Sequence, residues 1–215
     1  MERKISSSSK YPKPTKGIRC FLGIRLPDEL KQEIAKLQFK LKSKYPELAL
    51  TDADQLHITL FFLGSQSNRE VSGAVGRMRK EIDMDGFELT LGELDYFYKK
   101  REDSVIYLNI EGEIEKIKNL REKMEECMVD LDYTPPKRWV AHLTIARLKR
   151  MGPDVKKSLL YRIKQEGFRI KGGFKVIEIG LWESLISFGG VHHRLMETMK
   201  LRGADREARV DSKVN

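Results

Sequence analysis

The sequence predicts an α+β protein of two similar lobes, and three observations carry that expectation. The stretch His57-Ile58-Thr59-Leu60 recurs as His142-Leu143-Thr144-Ile145 in a chain that has only four histidines. The same order of strand, helix, strand, helix and hairpin reads around each copy. A chain of 215 residues, rich in aliphatic and aromatic side chains, is long enough to bury a substantial core.

Taken in order, residues 18–26 form an apolar strand, and Pro27-Asp28 opens a helix to about residue 44, since proline suits the first helical turn. A loop leads to a strand over 56–63. Ser67-Asn68-Arg69-Glu70 has the spacing of an N-cap with an acidic first turn, and starts a helix to about 82. Residues 87–98 and 104–110 read as a hairpin joined by the charged turn 99–103. In the second round, 104–110 doubles as the strand before a helix over 113–130. Pro135-Pro136 breaks the chain before a strand over 140–148. Pro153-Asp154 opens a helix to about 165, and 174–184 with 191–201 make a closing hairpin.

A shift of 85 residues (142 − 57) carries His57 onto His142 and Phe21-Leu22-Gly23-Ile24 onto Ile106-Tyr107-Leu108-Asn109. Phe87-Glu88-Leu89 matches Phe174-Lys175-Val176 at a nearly equal shift. That period is too long for a solenoid and indicates two lobes packed on each other. The Ser-rich, basic residues 1–16 and the polar residues 203–215 offer little to bury, so flexible tails are expected on either side of one bilobal domain over 17–202.

The formal net charge of +9 favours anionic partners, nucleic acid first and acidic membrane surfaces second, although charge alone fits plain solubility equally well. Cys20 and Cys127 have no metal-ligand or disulfide-framework spacing. No apolar run could span a bilayer, and residues 1–16 lack the apolar middle of a signal peptide. A cytoplasmic, monomeric protein without membrane partner, metal or cofactor is expected. No Gly-rich phosphate loop or nucleotide-binding lysine motif is present.

In a strand, alternate side chains share a face, so His57 pairs with Thr59 and His142 with Thr144, anchored from behind by Ile58 and Leu143. A lone strand histidine is ordinarily structural; repetition at matching points of two halves is what marks these. Two facing copies would supply two proton-transfer groups and two hydroxyl donors, which suits in-line attack on a phosphate ester without a metal. His192 and His193 read as surface or packing residues and Trp182 as core. The alternating Lys and Glu around 116–123 read as a solvated helix face.

These residues carry a resemblance over about 18–201. Arg19-Cys20-Phe21-Leu22-Gly23-Ile24 with Leu26-Pro27, Leu56 through Gly64, Ala141-His142-Leu143-Thr144-Ile145-Ala146-Arg147 and Leu181-Trp182-Glu183-Ser184 resemble the 2H phosphoesterase superfamily. Phe62-Leu63-Gly64 and Ala146-Arg147 resemble its bacterial and archaeal branch, the RNA 2',3'-cyclic phosphodiesterases first described as 2'-5' RNA ligases. The resemblance implies two pseudo-symmetric lobes, each an antiparallel sheet with outer helices, around a central cleft lined by the His/Thr strands. It implies that His57 is the acid releasing the 3'-oxygen and His142 the base on water, giving a 2'-phosphate. It also implies that Thr59 and Thr144 donate to non-bridging oxygens, that Arg147 contacts the phosphate, and that Phe62 stacks on a substrate base.

The partner so implied is RNA ending in a 2',3'-cyclic phosphate, tRNA fragments included, with weak ATP-independent 2'-5' joining as the reverse reaction. Strict alternation from His142 puts Arg147 on the wrong face, and only a strand end or bulge near Ala146 would bring it to the cleft. Many relatives carry a Trp and an Asn before the first motif, where this chain has residues 48–55 without either, so a different substrate-facing lip is expected. Alternatives from the same residues are a phosphodiesterase for 2'-5' oligonucleotides or small cyclic phosphates, and a non-catalytic RNA-end binding protein.

Overall fold

A computed structural model describes residues 17–129, 131, 133, 138–170, 172–187 and 190–202. The expected tails over 1–16 and 203–215, and Pro135-Pro136, lie outside the described residues. Among the described residues nine strands and four α-helices follow one another as β1 (Ile18–Arg25), α1 (Asp28–Lys44), β2 (Leu48–Leu50), a 3-10 turn (Ala53–Gln55), β3 (His57–Gln66), α2 (Asn68–Glu81) and β4 (Phe87–Phe97). Then come β5 (Ser104–Gly112), α3 (Ile114–Glu126), β6 (His142–Leu148), α4 (Pro153–Gln165), β7 (Gly173–Val176), β8 (Glu178–Ser187) and β9 (Gly190–Lys200).

Local chemistry places the helices where the sequence puts them. Ser67 and Glu70 form a reciprocal capping box at the start of α2: Ser67 Oγ accepts from the Glu70 N–H at 3.3 Å, and Glu70 Oε2 accepts from the Ser67 N–H at 2.8 Å. Each helix buries one stripe, for example Leu30, Ile34, Leu37 and Leu41 of α1. Those stripes share one core with the inward residues of the strands, among them Leu22, Ile24, Leu60, Ile106 and Leu108.

The strands run β7-β4-β5-β6-β3-β1-β8-β9, all antiparallel, with β2 added to the end of β6. The two lobes, β3-β1-β8-β9 and β6-β5-β4-β7, are therefore halves of one curled sheet. They meet where Ile58 of β3 pairs with Leu143 of β6.

Three sequence expectations need correction. Residues 174–184 do not form one strand; the segment divides at Ile177, with β7 pairing β4 in one lobe and β8 pairing β1 in the other. Phe87-Glu88-Leu89 and Phe174-Lys175-Val176 are not counterparts but antiparallel partners, Phe87 opposite Val176. The repeat of β1 in β5 is 84 residues, not 85, while that of β3 in β6 is the expected 85: Gly23 lies opposite Thr59 and Tyr107 opposite Thr144 (107 − 23 = 84; 144 − 59 = 85). Strands buried on both faces have no polar alternation to fix register, so a slip of one residue is invisible in the sequence. Strand β2, within the expected loop before β3, is too short to carry a period.

Candidate active site

The site begins with the crossing of β3 and β6. Extending the antiparallel register at Ile58 and Leu143 by one residue each way sets His57 across from Thr144 and Thr59 across from His142. Ile58 and Leu143 point into the core, fully buried, so all four motif side chains share the opposite face. The two imidazoles occupy a diagonal of that square, where Cβ atoms in a sheet are roughly 7–8 Å apart. That spacing brackets a single phosphate group.

Both strands then bulge at the same place. The β1–β3 register skips Leu60 and the β5–β6 register skips Ile145. Leu60 with Phe61, and Ile145 with Ala146, are consequently buried in succession, and the next residue returns to the site face. That residue is Phe62 in one lobe and Arg147 in the other. Phe62 is exposed and lines a cavity with Thr59 and His142. The Arg147 guanidinium lies close enough to lower the basicity of both His142 and His193.

The imidazoles are held alike. His57 Nδ1 lies 2.7 Å from the Gln55 carbonyl oxygen and His142 Nδ1 lies 2.8 Å from that of Val140. A carbonyl only accepts, so each Nδ1 carries the proton and each neutral Nε2 keeps a free lone pair. Neither Nε2 has a hydrogen-bond partner among the described residues, and neither do the Thr59 and Thr144 hydroxyls. Burial, with the neighbouring His193 and His142, pushes His57 down to about 4. Burial also lowers His142, and Arg147 adds to that.

Aromatic rings wall each histidine. Phe21 lies 4.6 Å from the His57 ring and stacks on Trp182 at 5.3 Å. The Trp182 ring covers Gly23 and Gly180, where a Cβ would come within 3.3 Å and 2.4 Å of it. Phe97 and Tyr107 stand edge-on to His142 at 5.0 and 5.3 Å. Register makes Trp182 and Phe97 equivalent, opposite Phe21 and Val105 respectively.

Two cavities flank the pair. One of about 210 Å³ on the His142 side is bounded by Thr59, Phe61, Phe62, Tyr133 and Trp139. Trp139 is fixed there, its indole N–H donating to the Thr59 carbonyl at 3.2 Å and its ring 4.3 Å from the Arg121 guanidinium, which lies as close to Phe61 on its other side. The other, of about 180 Å³ on the His57 side, is polar. Among the described residues no three His, Cys, Asp or Glu side chains converge as metal ligands, and no helix is long and apolar enough to cross a membrane.

The structure thus brings together His57, Thr59, His142 and Thr144, and sets Phe62 and Arg147 at their edge. His193, for which sequence reasoning favoured a surface or packing role over the cleft rim, stands edge-on to the His57 ring at 5.2 Å, and Trp182, read as core, is buried and also borders the polar cavity. Sequence reasoning missed Gln55, Trp139 and Tyr107. The sole available signal was the near-adjacency of Gln55 to the first motif.

Known proteins are similar to this chain in sequence and in fold. Residues 26–185 match the family model described as the 2'-5' RNA ligase superfamily. The chain is 25% identical over 185 residues to the RNA 2',3'-cyclic phosphodiesterase of Methanothermobacter thermautotrophicus, covering 86% of this chain and 99% of the relative. It is 28% identical over 173 residues to that of Methanocaldococcus jannaschii, covering 80% and 95%. E. coli LigT complexed with 3'-AMP shares the fold at a TM-score of 0.68 and 21% identity, over 87% of this chain and 99% of that one. The Thermus thermophilus protein TT0787 does so at 0.67 and 22%, over 86% and 99%.

Proposed function

This chain belongs to the 2'-5' RNA ligase superfamily, and from that membership we propose that it hydrolyses 2',3'-cyclic phosphate ends of RNA to 2'-phosphates by two-histidine acid–base catalysis, without a metal. The observation that carries the reading is the crossing at Ile58 and Leu143, which puts two imidazoles with free Nε2 atoms on one face beside two threonine hydroxyls. The relatives named RNA 2',3'-cyclic phosphodiesterase support the same reaction.

Water attacks phosphorus in line with the 3'-oxygen. One neutral Nε2 takes the proton of that water, and the other imidazole, protonated, hands a proton to the departing 3'-oxygen. The resemblance gives His142 the first part and His57 the second. Thr59 and Thr144 donate to the non-bridging oxygens as charge builds, and Arg147 balances that charge from the rim. Phe62 stacks on the base in the aromatic cavity. With both imidazoles held below their ordinary range, both are neutral near pH 7 in the free site. The anionic phosphate, seated between them, favours the imidazolium form, so the required proton is taken up from solvent as the substrate binds.

The same step, with an RNA 5'-hydroxyl as nucleophile in place of water, would form a 2'-5' bond without ATP, the 3'-oxygen again leaving. The protein is proposed to act in the cytoplasm as a monomer on RNA fragments, including those of tRNA.

The test is hydrolysis of a short RNA bearing a 2',3'-cyclic phosphate, in EDTA. The expected product is a 2'-phosphate, with His57→Ala and His142→Ala each slowing turnover by about 10²–10⁴-fold. A 3'-phosphate product, or full turnover in either variant, refutes the mechanism.

A further inference from the structure

The polar cavity on the His57 side is used by none of the steps above. Arg25, Lys31, Asp54, Gln55 and His193 line it together with His57. Its volume of about 180 Å³ is that of part of a nucleotide, a sugar with its phosphate, and it shares no lining residue with the aromatic cavity.

Among its members His193 is held through its own backbone. Gln55 grips the His193 backbone at both polar groups: Oε1 accepts from the N–H at 2.6 Å and Nε2 donates to the carbonyl at 3.4 Å. The Gln55 backbone carbonyl is the group that holds His57 Nδ1. One residue therefore ties two histidines from different strands into a fixed pair. The Ser184 hydroxyl lies 3.3 Å from His193 Nδ1. A hydroxyl can give or take a proton, so His193, unlike the two carbonyl-bound histidines, can offer either an N–H or a lone pair at Nε2.

The cavity's charges are mixed. Arg25 pairs with Glu178 at 3.3 Å and Lys31 with Asp28 at 2.8 Å, and Asp54 adds a carboxylate. Exposed pairs of this kind bind weakly and leave further N–H donors on both cations. A bare anion would meet Asp54 unfavourably. A ribose joined to a phosphodiester presents anionic acceptors for Arg25, Lys31 and His193, and a 2'-hydroxyl donor for Asp54.

We propose that this cavity is the subsite for the nucleotide adjoining the cyclic-phosphate nucleotide in the RNA chain, with His193 contacting that nucleotide and Gln55 and Ser184 as positioning residues. The inference rests on the reaction proposed above: the terminal base occupies the aromatic cavity, the phosphate lies between His57 and His142, and the chain continues past His193.

The experiment compares a nucleoside 2'-phosphate with a 3'-5' dinucleotide ending in the same 2'-phosphorylated nucleotide, by calorimetric titration. Turnover of the two corresponding 2',3'-cyclic phosphates is measured alongside. The wild type is expected to bind the dinucleotide about tenfold more tightly and to turn over its cyclic form with a lower KM. His193→Ala, and the exposed Arg25→Gln as a variant whose folding is not at risk, are expected to bring the two affinities close together. A 2'-deoxyribose in the adjoining nucleotide should remove part of the gain, because the 2'-hydroxyl is the group Asp54 would accept from.

Equal wild-type affinity for the two ligands overturns the subsite. So does a preference that both variants retain. If the wild type hydrolyses neither cyclic phosphate, the proposed reaction fails, and the binding ratio still decides the subsite.

Discussion

At the scale of single residues, His57 is where burial and proton transfer pull against each other. An unfolded imidazole titrates near 6.5 and the folded one near 4. Between those values the unfolded chain binds more protons, so this contribution to stability is complete above about 6.5 and is lost as pH falls toward 4. Urea midpoints at pH 7 and pH 5 should therefore drop more for wild type than for His57→Gln. Equal drops would show that His57 is not held neutral. The same depression acts on activity. The kcat/KM profile, which reports the free enzyme, is expected to be bell-shaped with its optimum on the acid side of 6.5. The kcat optimum should lie higher, because bound phosphate stabilises the imidazolium. A profile flat from about pH 5 to 9 with chemistry limiting would contradict a two-histidine mechanism.

At the scale of elements, the paired bulges aim the residues that follow the motifs. The β6 bulge has a dedicated support. Gln38, buried on α1, donates through Nε2 to the Ile145 carbonyl and to the Thr51 carbonyl, each at 2.7 Å, and the Thr51 N–H also reaches Ile145 O at 3.0 Å. Gln38→Met leaves the Thr51 carbonyl without this donor and should cost about 1–3 kcal/mol in chemical denaturation. It should also lower kcat, by loosening the segment that presents Arg147; unchanged kcat in a folded variant would show that the bulge holds without Gln38. The need for a bulge near Ala146 was readable from the motif, since Arg147 otherwise faces away from His142. Its matching bulge at Leu60 was not, because a bulge is defined by the partner strand and leaves no period of its own.

At the scale of the molecule, the chain closes its first lobe last. Strands β8 and β9, from the end of the domain, complete the sheet begun by β1 and β3, while β4 to β7 complete the other. Both lobes are therefore interlocked in sequence and joined through β3 and β6, and should unfold together. The two tryptophans report on different places, Trp182 on β8 within the first lobe and Trp139, ahead of β6, on the seam where it donates to the Thr59 carbonyl. Trp182→Phe and Trp139→Phe variants should give fluorescence transitions coincident with far-UV circular dichroism. Separate midpoints in one protein would mean that the lobes are independent units.

The helices, the strands that carry the motifs and the four side chains on one face are all legible in the chain before it folds. Caps, prolines and alternation act over a few neighbouring residues, so they are written locally. The capping box at Ser67 and the His-apolar-Thr pattern are of that kind. Which strands pair, the 84-residue register, the splitting of 174–184 between lobes, and the arrival of His193 beside His57 emerge only on packing. Those depend on partners far along the chain: Phe87 and Val176 are 89 residues apart (176 − 87), Gln55 and His193 138. Apolar strands fit several neighbours equally well, and only the packed whole selects among them.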